Sequence, residues 1–81
     1  MRVLLVEDDI SLGSGLQTAL KPEGYTVDWL TDGVQALHAL ESESFDLVIL
    51  DLGLPRLDGI SVLKQARAQG QSLPVLVLTA R

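Results

Sequence analysis

The chain has 81 residues, 47% of them hydrophobic, no cysteine and a formal net charge of −5. That length allows at most one small domain, and the missing cysteine excludes disulfides, thiolate catalysis and cysteine-based zinc sites. The acidic balance argues against nucleic-acid binding by this segment, which needs a basic patch; it suits a cation, a basic partner surface or plain solubility. No apolar run approaches the ~18–20 residues of a membrane span. The opening Met1-Arg2-Val3 lacks a signal-peptide layout, so the expectation is a cytoplasmic chain without membrane contact.

The apolar residues fall into four short blocks separated by polar helical segments. The first block, Arg2–Val6, predicts a strand that runs directly into Glu7-Asp8-Asp9. A helix is expected from about Ile10 to Lys21, with Asp9 or Ser11 as N-cap, Leu12, Leu16, Ala19 and Leu20 at helical spacing, and Pro22 and Gly24 ending it. Tyr25–Leu30 predicts the second strand, and Thr31-Asp32-Gly33 turns into a second helix that carries Ala36, Leu37 and Leu40 and fades over 41–44. The third strand, Asp46–Leu50, ends on Asp51. After the loop at 52–58 comes a third helix, about Ile60–Gln69, with Ile60, Leu63, Ala66 and Arg67 spaced by three or four and Gly70 closing it. Pro74–Leu78 predicts the fourth strand, and Thr79-Ala80-Arg81 follows.

Strands alternating with helices imply a parallel sheet with right-handed crossovers. In such sheets ligands bind at the carboxyl edge of the strands. The first and third strands each end there on acid, which brings up to four carboxylates together: Glu7, Asp8, Asp9 and Asp51. Such a cluster repels itself unless a cation sits in it. The expectation is a divalent-metal site around a reactive aspartate. The fourth strand is wholly apolar, so it expects cover on both faces and a neighbour at its open edge. On this reading the chain is cut short.

Glu7-Asp8 after the first strand, Asp51 after the third, Leu54-Pro55-x-x-Asp58-Gly59 and Thr79-Ala80 after the fourth resemble a response-regulator receiver domain along the whole chain. The wording Asp51-Leu52-Gly53-Leu54-Pro55 and Pro74–Arg81 resembles the OmpR/PhoB type. Glu7-Asp8-Asp9 with Val27-Asp28-Trp29 is similar to regulators of the QseB/PmrA kind. The resemblance implies an α/β fold, a flavodoxin-like (CheY-like) doubly wound sheet, here four strands and three helices in the order 2-1-3-4. Residues 1–81 would be the N-terminal part of the receiver, without its C-terminal part and without a DNA-binding domain. It implies Asp51 as phosphoacceptor, and Mg²⁺ held by Asp8, Asp51 and the backbone carbonyl of Gly53, with Glu7 acting through water. Thr79 would bind a phosphoryl oxygen as a switch, and Ala80 would leave room beside it. It further implies a sensor histidine kinase as partner, DNA contact only through the missing domain, and a lysine and an aromatic switch residue that would lie beyond Arg81.

The chemistry agrees with these roles. A carboxylate can form an acyl phosphate, and phosphoryl transfer needs positioning and charge neutralisation more than covalent help. Pro55 is read as shaping the loop, Asp58 as a helix cap and Gly59 as a backbone requirement, all structural. Asp9 is read as an N-cap, Tyr25 and Trp29 as packing residues, and His38 is given no role. Leu12, Gly13 and Gly15 are candidates for a kinase-docking face, against the reading of a partly exposed helix weakened by two glycines.

Three functions compete. The first is a non-enzymatic phospho-receiver from a two-component transcriptional regulator. The second is a non-signalling fragment that self-associates through its apolar sheet edge and faces, since a core this small rarely supplies more than ~3–5 kcal/mol. The third is a small phosphatase or phosphotransferase with an aspartyl nucleophile on a similar sheet; such enzymes usually place a second acid two residues on, where this chain has Gly53.

Overall fold

In the computed structural model, which describes residues 1–78, four parallel strands form one sheet in the order β2-β1-β3-β4. The strands are β1 (Arg2–Val6), β2 (Thr26–Leu30), β3 (Leu47–Asp51) and β4 (Val75–Leu78). The helices are α1 (Ile10–Leu20), α2 (Gly33–Ser42) and α3 (Gly59–Ala68). Fold class and strand order are those expected.

Side chains alternate across the two central strands, and both faces are covered. Leu4, Val6, Val48 and Leu50 pack with Ala36 and Leu40 of α2 and Val62 and Ala66 of α3. Val3, Leu5 and Ile49 turn the other way, toward Leu16 and Leu20 of α1 and toward Trp29. Double cover explains why β1 and β3 read as unbroken apolar runs. The outer strands β2 and β4 are only partly buried.

All three helices begin on an aspartate. The carboxylates of Asp9, Asp32 and Asp58 accept the backbone N–H of Leu12, Gln35 and Ser61, which satisfies donors that the first helical turn leaves open. At the far end of the sheet Arg2 ties three elements together. Its guanidinium contacts Asp28 of β2 at 2.5 Å and Glu43 after α2, and lies over the Phe45 ring at 4.5 Å from the centroid.

Several elements depart from expectation; β4 starts at Val75, one residue after Pro74, and α3 runs one residue earlier, over Gly59–Ala68. α1 stops at Leu20 and a 3-10 turn covers Lys21–Glu23, because Pro22 has no N–H to continue the ladder; Gly24 closes the turn at φ 84°. β2 starts at Thr26, one residue after Tyr25. β3 is shifted by one residue: Asp46 caps its start, accepting the Arg2 N–H at 2.7 Å, and Asp51 is the last strand residue, paired with Leu78. The buried row of α3 is Val62 and Ala66, four apart, while Ile60 is 44% exposed. Arg67 leaves that face to donate to the carbonyls of Gln71 and Leu73, both at 2.9 Å.

Leu4 is completely buried, so Leu4→Ala is expected to cost about 2–5 kcal/mol, as much as a core of this size supplies. Circular dichroism during urea unfolding is expected to show no cooperative transition in Leu4→Ala. Ile60→Ala is expected to stay within about 0.5 kcal/mol of the parent.

Candidate functional site

The register of the two central strands builds the site. Val6 of β1 lies opposite Leu50 of β3, so the next residues, Glu7 and Asp51, come side by side at the carboxyl edge. Alternation continues the Val3, Leu5 set to Glu7 and the Leu47, Ile49 set to Asp51, so both acids fall on the α1 side of the sheet. Glu7 is 1% and Asp51 3% exposed. Asp8 joins them half-buried, and ligand oxygens of the three residues lie within 4.8 Å of one another. Asp9, the fourth expected acid, is diverted to capping α1 and accepts the Leu12 N–H at 3.1 Å.

Backbone groups orient the cluster. The Glu7 N–H donates to the Leu30 carbonyl at 3.0 Å, and the Glu7 carboxylate accepts the Asp9 N–H at 3.1 Å. Asp51 Oδ1 accepts the Gly53 N–H at 3.3 Å. Burial raises the Glu7 carboxyl above the ordinary carboxylate range; the Asp9 N–H opposes this, and the neighbouring Asp51 and Asp8 reinforce it. Three hard oxygen donors crowded in this way fit a magnesium ion, which takes carboxylate and carbonyl oxygens and keeps several waters. Glu7, Asp8 and Asp51 are the residues placed to hold it, with Gly53 in the adjoining loop.

The loop after Asp51 is held close. Gly59 donates to the Leu52 carbonyl at 2.9 Å, and a Cβ on Gly59 would collide with the Asp51 carbonyl, which is the backbone requirement expected there. Asp58 caps α3 through the Ser61 N–H and hydroxyl at 2.9 and 3.0 Å, and these hydrogen bonds lower its carboxyl. The Pro55 carbonyl accepts the N–H of Gly33 and of Leu57. Thr79 and Ala80 lie outside the described residues.

Three residues, Trp29 and the pair Asp32 and Arg56, were not read as part of the site. Trp29 donates its indole N–H to the Glu7 carbonyl at 2.9 Å while its ring lies where a Cβ of Gly13 would have to go. Gly13 is therefore buried beneath the indole and not on an open docking face, whereas Gly15 and Leu12 are exposed. The signal was a glycine inside a helix, which costs stability unless something must come close. The side chains of Asp32 and Arg56 meet at 3.3 Å. His38 lines a cleft of about 440 Å³ beside α2 that shares no residue with the acidic cluster.

The sequence matches the response regulator receiver domain over residues 3–81, and the chain belongs to that family. Among curated relatives it is 54% identical to the response regulator protein PmrA of Pseudomonas aeruginosa and 54% identical to the transcriptional regulatory protein QseB of Haemophilus influenzae. Both are OmpR/PhoB-type regulators. Each alignment spans all of this chain but 37% of the relative. Among solved structures, the receiver domain of a Pseudomonas aeruginosa sensor histidine kinase matches with a TM-score of 0.94 at 35% identity, over 99% of this chain and 67% of that one. That structure holds a magnesium ion coordinated in its active-site cleft. The response regulator TrrA of Thermotoga maritima, in complex with Mg²⁺ and BeF, matches with a TM-score of 0.91 at 34% identity, over 99% of this chain and 70% of that one.

Because the Glu7 carboxyl is raised in the folded state, the metal-free fold binds that proton more tightly than the unfolded chain does. The contribution of Glu7 to stability is then fully present below the ordinary carboxylate pKa and is lost as pH rises through the interval up to the folded value. Glu7→Gln is expected to raise the thermal midpoint of the metal-free chain at neutral pH and to flatten its dependence over that interval. Equal midpoints for the two proteins from acid to neutral pH would contradict this.

Proposed function

We propose that this receiver domain accepts a phosphoryl group on Asp51 from a sensor histidine kinase, with Mg²⁺ bound, in the cytoplasm. The observation that carries this reading is the placement of Asp51 at the end of β3, almost buried, with its carboxylate grouped within 4.8 Å of those of Glu7 and Asp8. Two relatives are named as a response regulator and a transcriptional regulator and are far longer than this chain, so control of transcription is assigned to a DNA-binding domain outside residues 1–81.

Asp51 is the nucleophile. One carboxylate oxygen forms a bond to phosphorus while the bond from phosphorus to the donor nitrogen breaks, and the electron pair leaves with the donor imidazole. Mg²⁺, when bound, neutralises charge on the carboxylates and on the transferred group. Asp8, Asp51 and the Gly53 carbonyl would hold it directly, and Glu7 would act through water. The Gly53 N–H on Oδ1 sets the orientation of the attacking carboxylate. The family resemblance assigns the phosphoryl oxygen to Thr79 and the room beside it to Ala80, both outside the described residues. The domain receives the group and loses it slowly to water; it does not turn over a substrate as an enzyme does.

Incubating the chain with a small-molecule phosphodonor and Mg²⁺ is expected to add one phosphoryl mass, read by intact-mass spectrometry, and Asp51→Asn is expected to add none. An adduct that persists in Asp51→Asn, or none in the folded parent, would overturn the assignment.

A second reading concerns association. On β4, Leu76 is 54% and Val77 36% exposed, and both are side chains that strands of parallel sheets bury. A second copy of the chain is the proposed cover. Light scattering coupled to size exclusion is expected to give at least twice the monomer mass, and Leu76→Lys a lower one; a stable monomer at tens of micromolar would sink the idea.

A further inference from the structure

Away from the acidic cluster, one charged pair occupies a position that ordinary surface charges do not. Asp32 is the N-cap of α2, with its side chain only 10% exposed. Its Oδ1 accepts the Gln35 N–H at 2.8 Å, and its Oδ2 accepts from Nη1 of Arg56 at 3.3 Å. Arg56 lies in the loop that follows Asp51. It is the one non-glycine residue among the described residues with positive φ, at 67°. An L-residue with a long side chain is strained there and stays only where its surroundings hold it.

The surroundings are the first turn of α2. Gly33 donates to the Pro55 carbonyl at 3.3 Å, and the N–H of Leu57 donates to the same oxygen at 2.7 Å. The Leu57 carbonyl sits so close to Gly33 that no Cβ would fit there. The loop is thus fastened on both sides of Arg56 by main-chain contact and at Arg56 itself by a charge pair. Its other end carries the Gly53 N–H that bonds Asp51 Oδ1. An exposed ion pair contributes little by itself. Here one partner is nearly buried and the other is held in a strained backbone, so losing the contact lets the loop relax.

We propose that Asp32 and Arg56 are positioning residues: together they latch the loop at 52–58 to α2, and the latch keeps Gly53 set against Asp51 for metal binding and phosphoryl acceptance. The proposal rests on the reading of Asp51 given above. It goes beyond that reading by assigning a role in the chemistry to two residues outside the acidic cluster.

The test uses the 81-residue chain and Asp32→Asn, Arg56→Ala, Arg56→Gly, Arg56→Lys and the Asp32→Asn/Arg56→Ala double variant. Asparagine still caps a helix, so Asp32→Asn removes the charge pair while leaving α2 capped. Three quantities are read: Mg²⁺ affinity by calorimetry, the rate of phosphoryl uptake at saturating Mg²⁺, and the thermal midpoint. Asp32→Asn, Arg56→Ala and Arg56→Gly are each expected to lose about tenfold in Mg²⁺ affinity, the low end for groups that orient metal ligands, and to slow uptake at saturating metal. Arg56→Lys restores most of both, and the double variant is no worse than either single one.

Unchanged affinity and rate with only a lowered midpoint would mean a purely structural pair and overturn the proposal, as would losses that add in the double variant. A parent chain that takes neither Mg²⁺ nor a phosphoryl group overturns the reading of Asp51 instead. Amide exchange at Gly53 and Leu57, which needs no metal, then judges the latch alone: faster exchange in Arg56→Ala supports it, and unchanged exchange overturns it.

Discussion

The arrangement of this molecule depends on one pairing, the parallel register of β1 against β3. Val6 opposite Leu50 leaves Glu7 and Asp51 adjacent, nearly sealed from water, at the edge where an α/β sheet receives its ligand. Two carboxylates in that position oppose folding: burial first, and then the neighbouring acids, raise the Glu7 carboxyl. The apolar residues of β1 and β3, covered on both faces, offset the repulsion. The stability of the fold and the reactivity of its edge are therefore set against each other along the same two strands.

The helices reinforce the edge as well as the core. α1 and α2 begin within four residues of the end of a strand and α3 after the loop at 52–58, each on an aspartate cap. Their N-termini carry partial positive charge toward the end of the sheet that holds Glu7, Asp8 and Asp51. The connecting loops are pinned by main-chain contacts at which no Cβ fits: Gly59 on the Asp51 carbonyl and Gly33 on the Leu57 carbonyl. The loop after Asp51 is thus anchored at both of its ends. Trp29 does the same for the first loop by holding the Glu7 carbonyl from β2.

Much of this was legible in the chain. Apolar runs interrupted by Asp-Gly, Gly and Pro marked four strands and three helices, and the acids at the ends of two strands marked the site. The misses share a cause. Periodicity aligned Ile60, Leu63, Ala66 and Arg67 along α3; Ala66 is buried as expected, but packing buried Val62 and left Ile60 and Arg67 outside the core. Trp29 was read as filler because its hydrogen bond reaches 22 residues back. Asp32 was read as a turn residue because Arg56, its partner, lies 24 residues ahead.

Local sequence determined what depends on neighbours along the chain: element type and order, the aspartate caps, and the emergence of acids at strand ends. Each follows from backbone propensity and hydrogen bonding within a few residues. Tertiary structure decided which carboxylates meet, bringing Asp51 beside Glu7 and Asp8. It also decided where the loop after Asp51 is tied down. Those outcomes rest on strand register and on contacts more than 20 residues apart, and no window of sequence short enough to show a period contains both partners.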